Sequence, residues 1–268
     1  MKVYDPDFGE YITRTDSISI YSSEALTSTN KYKLNKCSVI LLSGLRLSRT
    51  KGANMELGDA IYSAVTTRYF SNEPVTDEQL HKAFDYARFA PQGGNRQPVR
   101  FIVVRDQDKR NQLAELYRGP WKAYLADAQT GDINIGSDKA ARLLRNADYF
   151  ADHLEDVPVM VVACAHLEDT HPTDTELGRL SVVGGASIYP AVQNFILGCR
   201  EAQLGASLTT LLCLFEPQVK ELLGMPEDAA TVAHIAVGHR TKEFPTKLDR
   251  MGLEEIVFSE TWGASTYS

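Results

Sequence analysis

Between residues 178 and 203 the chain is apolar almost without pause. Leu180, Val182, Val183, Ile188, Val192, Phe195, Ile196 and Leu197 fall on every side of a helical projection. A helix without a polar face has to be covered all round. In a chain of 268 residues this predicts a long helix at the centre of the fold, with one side meeting a second copy of the chain. Gly184-Gly185 within it reads as a point of close helix packing.

The remaining pattern is an irregular alternation. Helical periodicity covers 56–66, 76–90 and 108–128, and β-prone runs cover 99–105 and 157–165. After the apolar helix comes a strand-like Ala206 to Leu212. A helix follows from Glu216 to Leu223, with Pro217 in its first turn and Gly224 at its end. Ala230 to Val237 reads as a buried strand. Helices and strands interleaved without regular β-α-β spacing predict an α+β sandwich rather than a doubly wound parallel sheet.

Hydrophobic residues make up 43% and charged residues 24%, an ordinary globular balance. A formal charge of −7 argues against nucleic acid as the main partner, which calls for a basic face. The apolar run Val157 to Ala165 is broken by Pro158 and is too short to span a bilayer, so no membrane role is expected and the cytoplasm is the default location. Cys37, Cys164, Cys199 and Cys213 show no C-x-x-C spacing, and the last three sit in apolar runs as reduced core residues. The six histidines form no H-E-x-x-H pair, and no metal is indicated.

Residues 1–54 read differently. Thirteen are Ser or Thr, and eight basic against five acidic residues leave about −10 on residues 55–268. A targeting peptide, an appended arm and an upstream extension before a start at Met55 are all compatible with this composition. The extension, poorly ordered, is the favoured expectation, because Met55 directly precedes the first good helix pattern. The domain proper is then 55–268.

The stretch Ala90-Pro91-Gln92-Gly93-Gly94-Asn95-Arg96-Gln97-Pro98 joins a helical pattern to the β-prone Phe101-Ile102-Val103-Val104. Its glycines permit close approach of a ligand to the backbone and tolerate positive φ. Pro98 biases Gln97 toward an extended conformation, in which the amides of Asn95 and Gln97 project to one side. Amides both donate and accept, which suits a flat heteroaromatic ring edged with N–H and C=O groups, such as a flavin. The plain alternative is a polar loop between a helix and a strand.

P-x-G-G-N-R-Q-P-x-R-F, with Arg68-Tyr69-Phe70-x-x-Glu73-Pro74-Val75 upstream, resembles the nitroreductase family of FMN-dependent oxidoreductases over roughly 55–258. The resemblance implies a central, mostly antiparallel sheet flanked by helices, and an intertwined homodimer with FMN at the interface. It implies FMN reduced by NADPH or NADH, with small electron-poor acceptors reduced in a ping-pong cycle. The flavin carries the chemistry, so no catalytic side chain is expected. On the family pattern Thr66, Thr67 and Arg68 serve the FMN phosphate and ribityl chain, although Ala64 and Val65 stand where the family carries arginines. Pro91, Gln92, Gly93, Asn95 and Gln97 meet the ring, Thr209, Thr210 and Leu211 pass beside it, and Lys247 and Arg250, with Arg240 as a further candidate, complete the charge at the phosphate. Tyr117 to Phe150 corresponds to the family's variable lid.

Two other functions share this scaffold. Reductive dehalogenation of halophenols or halotyrosines uses a carboxylate, a tyrosine and a lysine in the lid, and Glu115, Tyr117 and Lys122 offer those residue types. A non-catalytic flavin store is the third reading.

Overall fold

A computed structural model describes residues 2–5, 10–13, 55–130 and 138–266 of the chain. Two units are distinguished, Met1–Lys51 and Gly52–Ser268. In the first, β1 (Lys2–Asp5) and β2 (Glu10–Thr13) pair antiparallel, with Lys2 opposite Thr13 and Asp5 opposite Glu10. The rest of the segment expected to be poorly ordered lies outside the described residues.

The second unit opens with the short α1 (Leu57–Ser63) and continues with α2 (Asp77–Arg88). Thr76 and Gln79 start α2 as a capping box. The Thr76 hydroxyl accepts from Gln79 N, and the Gln79 side chain accepts from Thr76 N, so two amides that lack helical partners are satisfied. Leu80, Ala83 and Ala87 form its buried stripe. There follow β3 (Val99–Val104), α3 (Gln107–Thr130), α4 (Asp138–Asp152), β4 (Val159–His166), α5 (Tyr189–Glu201), β5 (Gly205–Thr209), α6 (Glu216–Leu223), β6 (Ala229–Gly238) and α7 (Leu253–Ile256).

Strands β3-β4-β6-β5 form one antiparallel sheet. Because side chains alternate across a strand, the sheet has two apolar faces. Val159, Val161, Ala163, Ala233, Ile235 and Val237 pack against α2 and α5. Met160, Val162, Cys164 and Ala236 pack against Leu113, Tyr117, Trp121 and Phe150 of α3 and α4. Helices therefore cover both faces of an antiparallel sheet, the α+β sandwich the sequence pattern implies. Among the described residues no helix is long and apolar enough to cross a membrane.

Four local expectations are corrected. The helix expected over 178–203 begins only at Tyr189, and Leu180 and Val182 are 88% and 75% exposed in a run of turns. Asp174 explains the delay. Its carboxylate accepts from Val182 N (2.9 Å), Ser181 Oγ (2.6 Å) and Arg179 Nη1 (2.7 Å), so the backbone is held in a loop that competes with the helix. Pro190 then sits in the first turn, where a missing N–H costs nothing. Gly184 and Gly185 accordingly lie in turns, where a β-carbon on Gly185 would come 2.5 Å from the Tyr189 ring.

The first helix stops at Ser63 rather than continuing to residue 66. Residues 66–70 instead run along the sheet, with Thr66 bridging Ala206 in parallel and Phe70 bridging Arg240 antiparallel. The strand expected over 206–212 ends at Thr209, and Leu211–Phe215 forms a 3-10 turn.

Phe195 on α5 is fully buried, its ring centroid 4.7 Å from Phe84 and 5.7 Å from Phe101. One turn on, Gly198 lets α5 touch α2: a β-carbon there would stand 2.6 Å from Ala83 Cα. Gly198→Ala forces two backbones apart, an overpacking that costs about 1–3 kcal/mol. Urea unfolding is expected to show that loss in the midpoint without a change in slope.

Candidate functional site

Segment 64–71 is fastened to two strands. Thr67 N donates to Ala206 O (2.9 Å) and Ser71 N to His239 O (2.8 Å). Between these anchors Arg68 is half-buried. Burial pushes its pKa down, with Tyr117 and Tyr69 opposing. Among the described residues no carboxylate and no hydrogen-bond acceptor pairs with it. A cation withdrawn from water without a counter-ion is costly, so this guanidinium is set to receive an anion.

Thr66 is exposed beside it, whereas Thr67 is buried and its hydroxyl accepts from Arg240 Nη1 at 2.7 Å. Thr67 therefore faces Arg240 rather than open space. Tyr117 is buried behind Arg68, and a hydrogen bond links it to the Thr209 hydroxyl, which accepts from Leu211 N at 3.2 Å. Burial raises the Tyr117 pKa, so the phenol stays neutral. Thr66, Thr67, Arg68, Thr209 and Leu211 thus gather at the β5 edge, and Thr210 is exposed next to them.

His234, opposite Thr209 in the register, is fully buried, and neither ring nitrogen has a partner among the described residues. Burial alone takes its pKa down to about 4, which leaves it neutral at neutral pH. Nothing in the local sequence distinguishes it from a strand alanine or valine. Its position became visible only through pairing.

Lys247 and Arg250 are exposed. Lys247 Nζ lies 5.8 Å from the Tyr62 ring centroid, and Leu248 N donates to Tyr62 O (2.8 Å), so this arm runs beside the end of α1. Arg250 Nη1 donates to Asp249 O at 2.7 Å.

The motif loop is elsewhere. Gly93–Asn95 makes a 3-10 turn, with φ +59° at Gly94, +52° at Asn95 and +55° at Gln97. The expectation that Asn95 and Gln97 lie in an extended segment is therefore corrected. Both take the left-handed region, which costs a side chain more than it costs glycine. Gly93 N donates to Ser187 Oγ (3.1 Å), which ties the loop to the turns before α5. Ser187 was not singled out from the sequence, although it closes the small-residue run 184–187. Pro91, Gln92 and Gly93 line a cavity of about 600 Å³ with His171 and Ser187. Gln92 Oε1 is buried without a donor.

The two halves are far apart within one chain. Val99 stands level with Ala165 and Ala230, whereas Thr66 stands level with Ala206 and Val237. At ~3.3 Å per residue and ~4.8 Å between strands they are about 20 Å apart along the sheet and about 19 Å across it.

The aromatic residues expected in a lid belong largely to the core: Tyr117, Trp121 and Phe150 are buried against the sheet. Nor do Glu115, Tyr117 and Lys122 converge. Glu115 pairs with Arg118, and Lys122 is held by Asp148 (3.3 Å) and Asp152 (3.0 Å). Among the described residues no cluster of His, Cys, Asp and Glu could hold a metal.

A model of the Nitroreductase family matches residues 61–239. Protein DrgA of a Synechocystis strain is 29% identical over 199 residues, covering 72% of this chain and 88% of that protein. Iodotyrosine deiodinase bound to FMN and 3-iodo-L-tyrosine superposes with a TM-score of 0.60 at 21% identity, covering 77% of this chain and 100% of that one. NADPH:FMN oxidoreductase from Vibrio harveyi complexed with NAD+ gives 0.54 at 22% identity, covering 76% of each chain. These structural likenesses show the fold.

Asp174 organises the turns that lead to the loop cavity, and its carboxyl is sensitive to pH. Hydrogen bonds from Ser181 and then Val182 N, with Arg179 beyond them, hold the Asp174 carboxyl down at about 2. A carboxylate so depressed contributes stability that is present above its unfolded pKa near ~3.9 and is lost as pH falls through the folded value. Asp174→Asn is expected to be less stable than wild type at pH 7, with the difference shrinking from about pH 4 to about pH 2. Unfolding at a series of pH values, with proteolysis of 174–188 as a local probe, checks this.

Proposed function

The chain belongs to the nitroreductase family, and on that premise we propose that it is an FMN-dependent oxidoreductase that takes electrons from NADPH or NADH and reduces small electron-poor acceptors, nitroaromatics or quinones, in a ping-pong cycle. The observation that carries the reading is Arg68, a half-buried guanidinium without a counter-ion in a chain of net charge −7. A phosphate monoester is the anion that fits such a cation. Gln92 Oε1 supports the other end, because a buried acceptor without a donor suits a ring that carries one N–H among its carbonyls. FMN, when bound, supplies the two-electron exchange between nicotinamide and acceptor.

The chain's own residues position and insulate. Arg68 neutralises the phosphate. The tie from Gly93 N to Ser187 Oγ stiffens the loop that meets the ring. Neutral Tyr117 and His234 keep the floor beside Thr209 free of competing charge.

The separation of the loop from Arg68 exceeds the span of a mononucleotide, so one FMN is held by Arg68 of one protomer and by the motif loop of its partner. The working unit is a homodimer with two such sites, and domain 55–268 suffices for it. Three free cysteines, Cys164, Cys199 and Cys213, fit a reducing compartment such as the cytoplasm. Glu115 and Lys122 are engaged in surface ion pairs and do not converge with Tyr117, so these three side chains lend the dehalogenase reading no support.

The purified protein is expected to be yellow, to release FMN rather than FAD on denaturation, and to bleach with NADPH or NADH under anaerobic conditions. No flavin uptake on reconstitution would overturn the reading. Bleaching without reoxidation by any acceptor would favour a flavin store. Arg68→Ala removes a charge-assisted contact worth about 1.5–3 kcal/mol, so FMN affinity should fall roughly ten- to a hundredfold in a fluorescence titration. Removal of residues 1–54 is expected to leave flavin binding and the dimer intact, as flavin content and light scattering would show.

A further inference from the structure

Positions 64 and 65, next to the proposed phosphate site, carry no charge, yet two guanidiniums reach this segment from distant elements. Arg200, at the end of α5, donates from Nε to the buried Ser63 hydroxyl at 2.8 Å. Arg240, just past β6, donates from Nη1 to the buried Thr67 hydroxyl at 2.7 Å. Both lie against the Phe244 ring, with guanidinium carbons 3.9 Å and 4.8 Å from its centroid.

Each nitrogen of the Arg240 fork makes one bond. Besides Thr67, its Nε donates to Lys242 O (3.1 Å) and its Nη2 to Glu243 O (3.4 Å). A guanidinium committed to three protein acceptors has a fixed direction and little freedom to turn to a ligand. Gly205 makes the contact possible. A β-carbon there would collide with Thr67 Oγ1 and come within 2.7 Å of Arg240 Cγ. One residue beyond Thr67 is Arg68, which has no hydrogen-bond or carboxylate partner among the described residues.

We propose that Arg240 is a positioning residue: by gripping the Thr67 hydroxyl across Gly205 it fixes the backbone from which Arg68 meets the FMN phosphate, in place of a phosphate contact from positions 64 and 65. The grip replaces direct charge with pre-organisation. Thr67–Arg68 is bonded to β5 at Thr67 N, and the next backbone anchor is Tyr69 O, which accepts from Thr241 N at 3.4 Å just past Arg240, so the grip of Arg240 on Thr67 fixes the near side of Arg68. Ordering a cationic side chain in advance saves the entropy otherwise lost on binding. This rests on the reading of Arg68 as the phosphate ligand, and it predicts a pattern which neither a direct ligand nor a purely structural residue would give.

The test measures FMN dissociation constants and thermal midpoints for wild type, Arg240→Ala, Arg240→Lys and Thr67→Val, each also in an Arg68→Ala background. Thr67→Val keeps the side chain's shape and removes the acceptor together with the hydroxyl's long bond to Val65 O (3.4 Å), so it carries the test if Arg240→Ala fails to fold. Arg240→Ala and Thr67→Val are each expected to weaken FMN about tenfold. Arg240→Lys should not restore binding, because an ammonium cannot reproduce the planar fork. In the Arg68→Ala background the same changes should have less than about a twofold effect, as expected of residues that act through one another.

Equal losses in both backgrounds would make Arg240 a direct ligand and overturn the inference. A lowered midpoint with an unchanged dissociation constant would make it structural only, and would also overturn it. If the wild type itself takes up no FMN, the phosphate reading of Arg68 fails before any substitution is compared, so the two failures are told apart.

Discussion

Helix α5 lies so close to α2 that the backbone of Gly198 rests on Ala83, where no β-carbon would fit. Val192, Phe195 and Cys199 of α5 join Ala83 and Ala87 of α2 in the cluster over one face of the sheet. Thirteen residues at ~1.5 Å each give about 20 Å, which is the distance along the strands between the motif loop and the Thr66–Arg68 segment. The residues at its two ends serve those two places. Ser187, just before α5, holds Gly93 of the loop, and Gly205, just after it, admits Thr67 and Arg240. The packing of one helix therefore fixes both halves of the site and keeps them apart. On the proposed reading, a single mononucleotide that touches both halves bridges two copies of the chain.

The electrostatics of the site follow from burial more than from the number of charges. The chain is acidic overall, with a net charge of −7, yet the β5 edge holds Arg68 without an opposing carboxylate. Its neighbours Tyr117 and His234 are kept neutral by desolvation, the phenol with its pKa raised and the imidazole with its pKa lowered to about 4. Low polarity around Arg68 makes its field count for more than it would in water. A local basic site in an acidic protein is thus a matter of which charges are sheltered.

Loop conformation shows how a short polar side chain can overrule a long apolar pattern. Leu180 and Val182 belong by composition to the buried helix, but Asp174 takes the amide of Val182 and the hydroxyl of Ser181 into a turn of its own. Once those groups are satisfied locally, helix formation there gains little, and α5 waits for Pro190. The exposed leucine and valine that result lie in the turns leading to Ser187, beside the cavity at the motif loop.

The layering of this protein was legible in the sequence because it depends on local periodicity. Apolar β-prone runs marked β3, β4 and β6, helical periodicity over 76–90 marked α2, and Pro217 with Gly224 bounded α6. The glycines and amides of the loop at 91–97 marked a place of unusual backbone, and Arg68 marked a charge. What the sequence could not decide were distances between residues remote along the chain. That Thr67 would meet Arg240, that His234 would face Thr209 in the core, and that the loop and Arg68 would stand at opposite corners of the sheet are consequences of strand order and register. Register depends on how whole faces pack, and a shift of one residue turns every side chain to the other face. Local pattern determined which elements form, and tertiary packing decided which of their residues share a site.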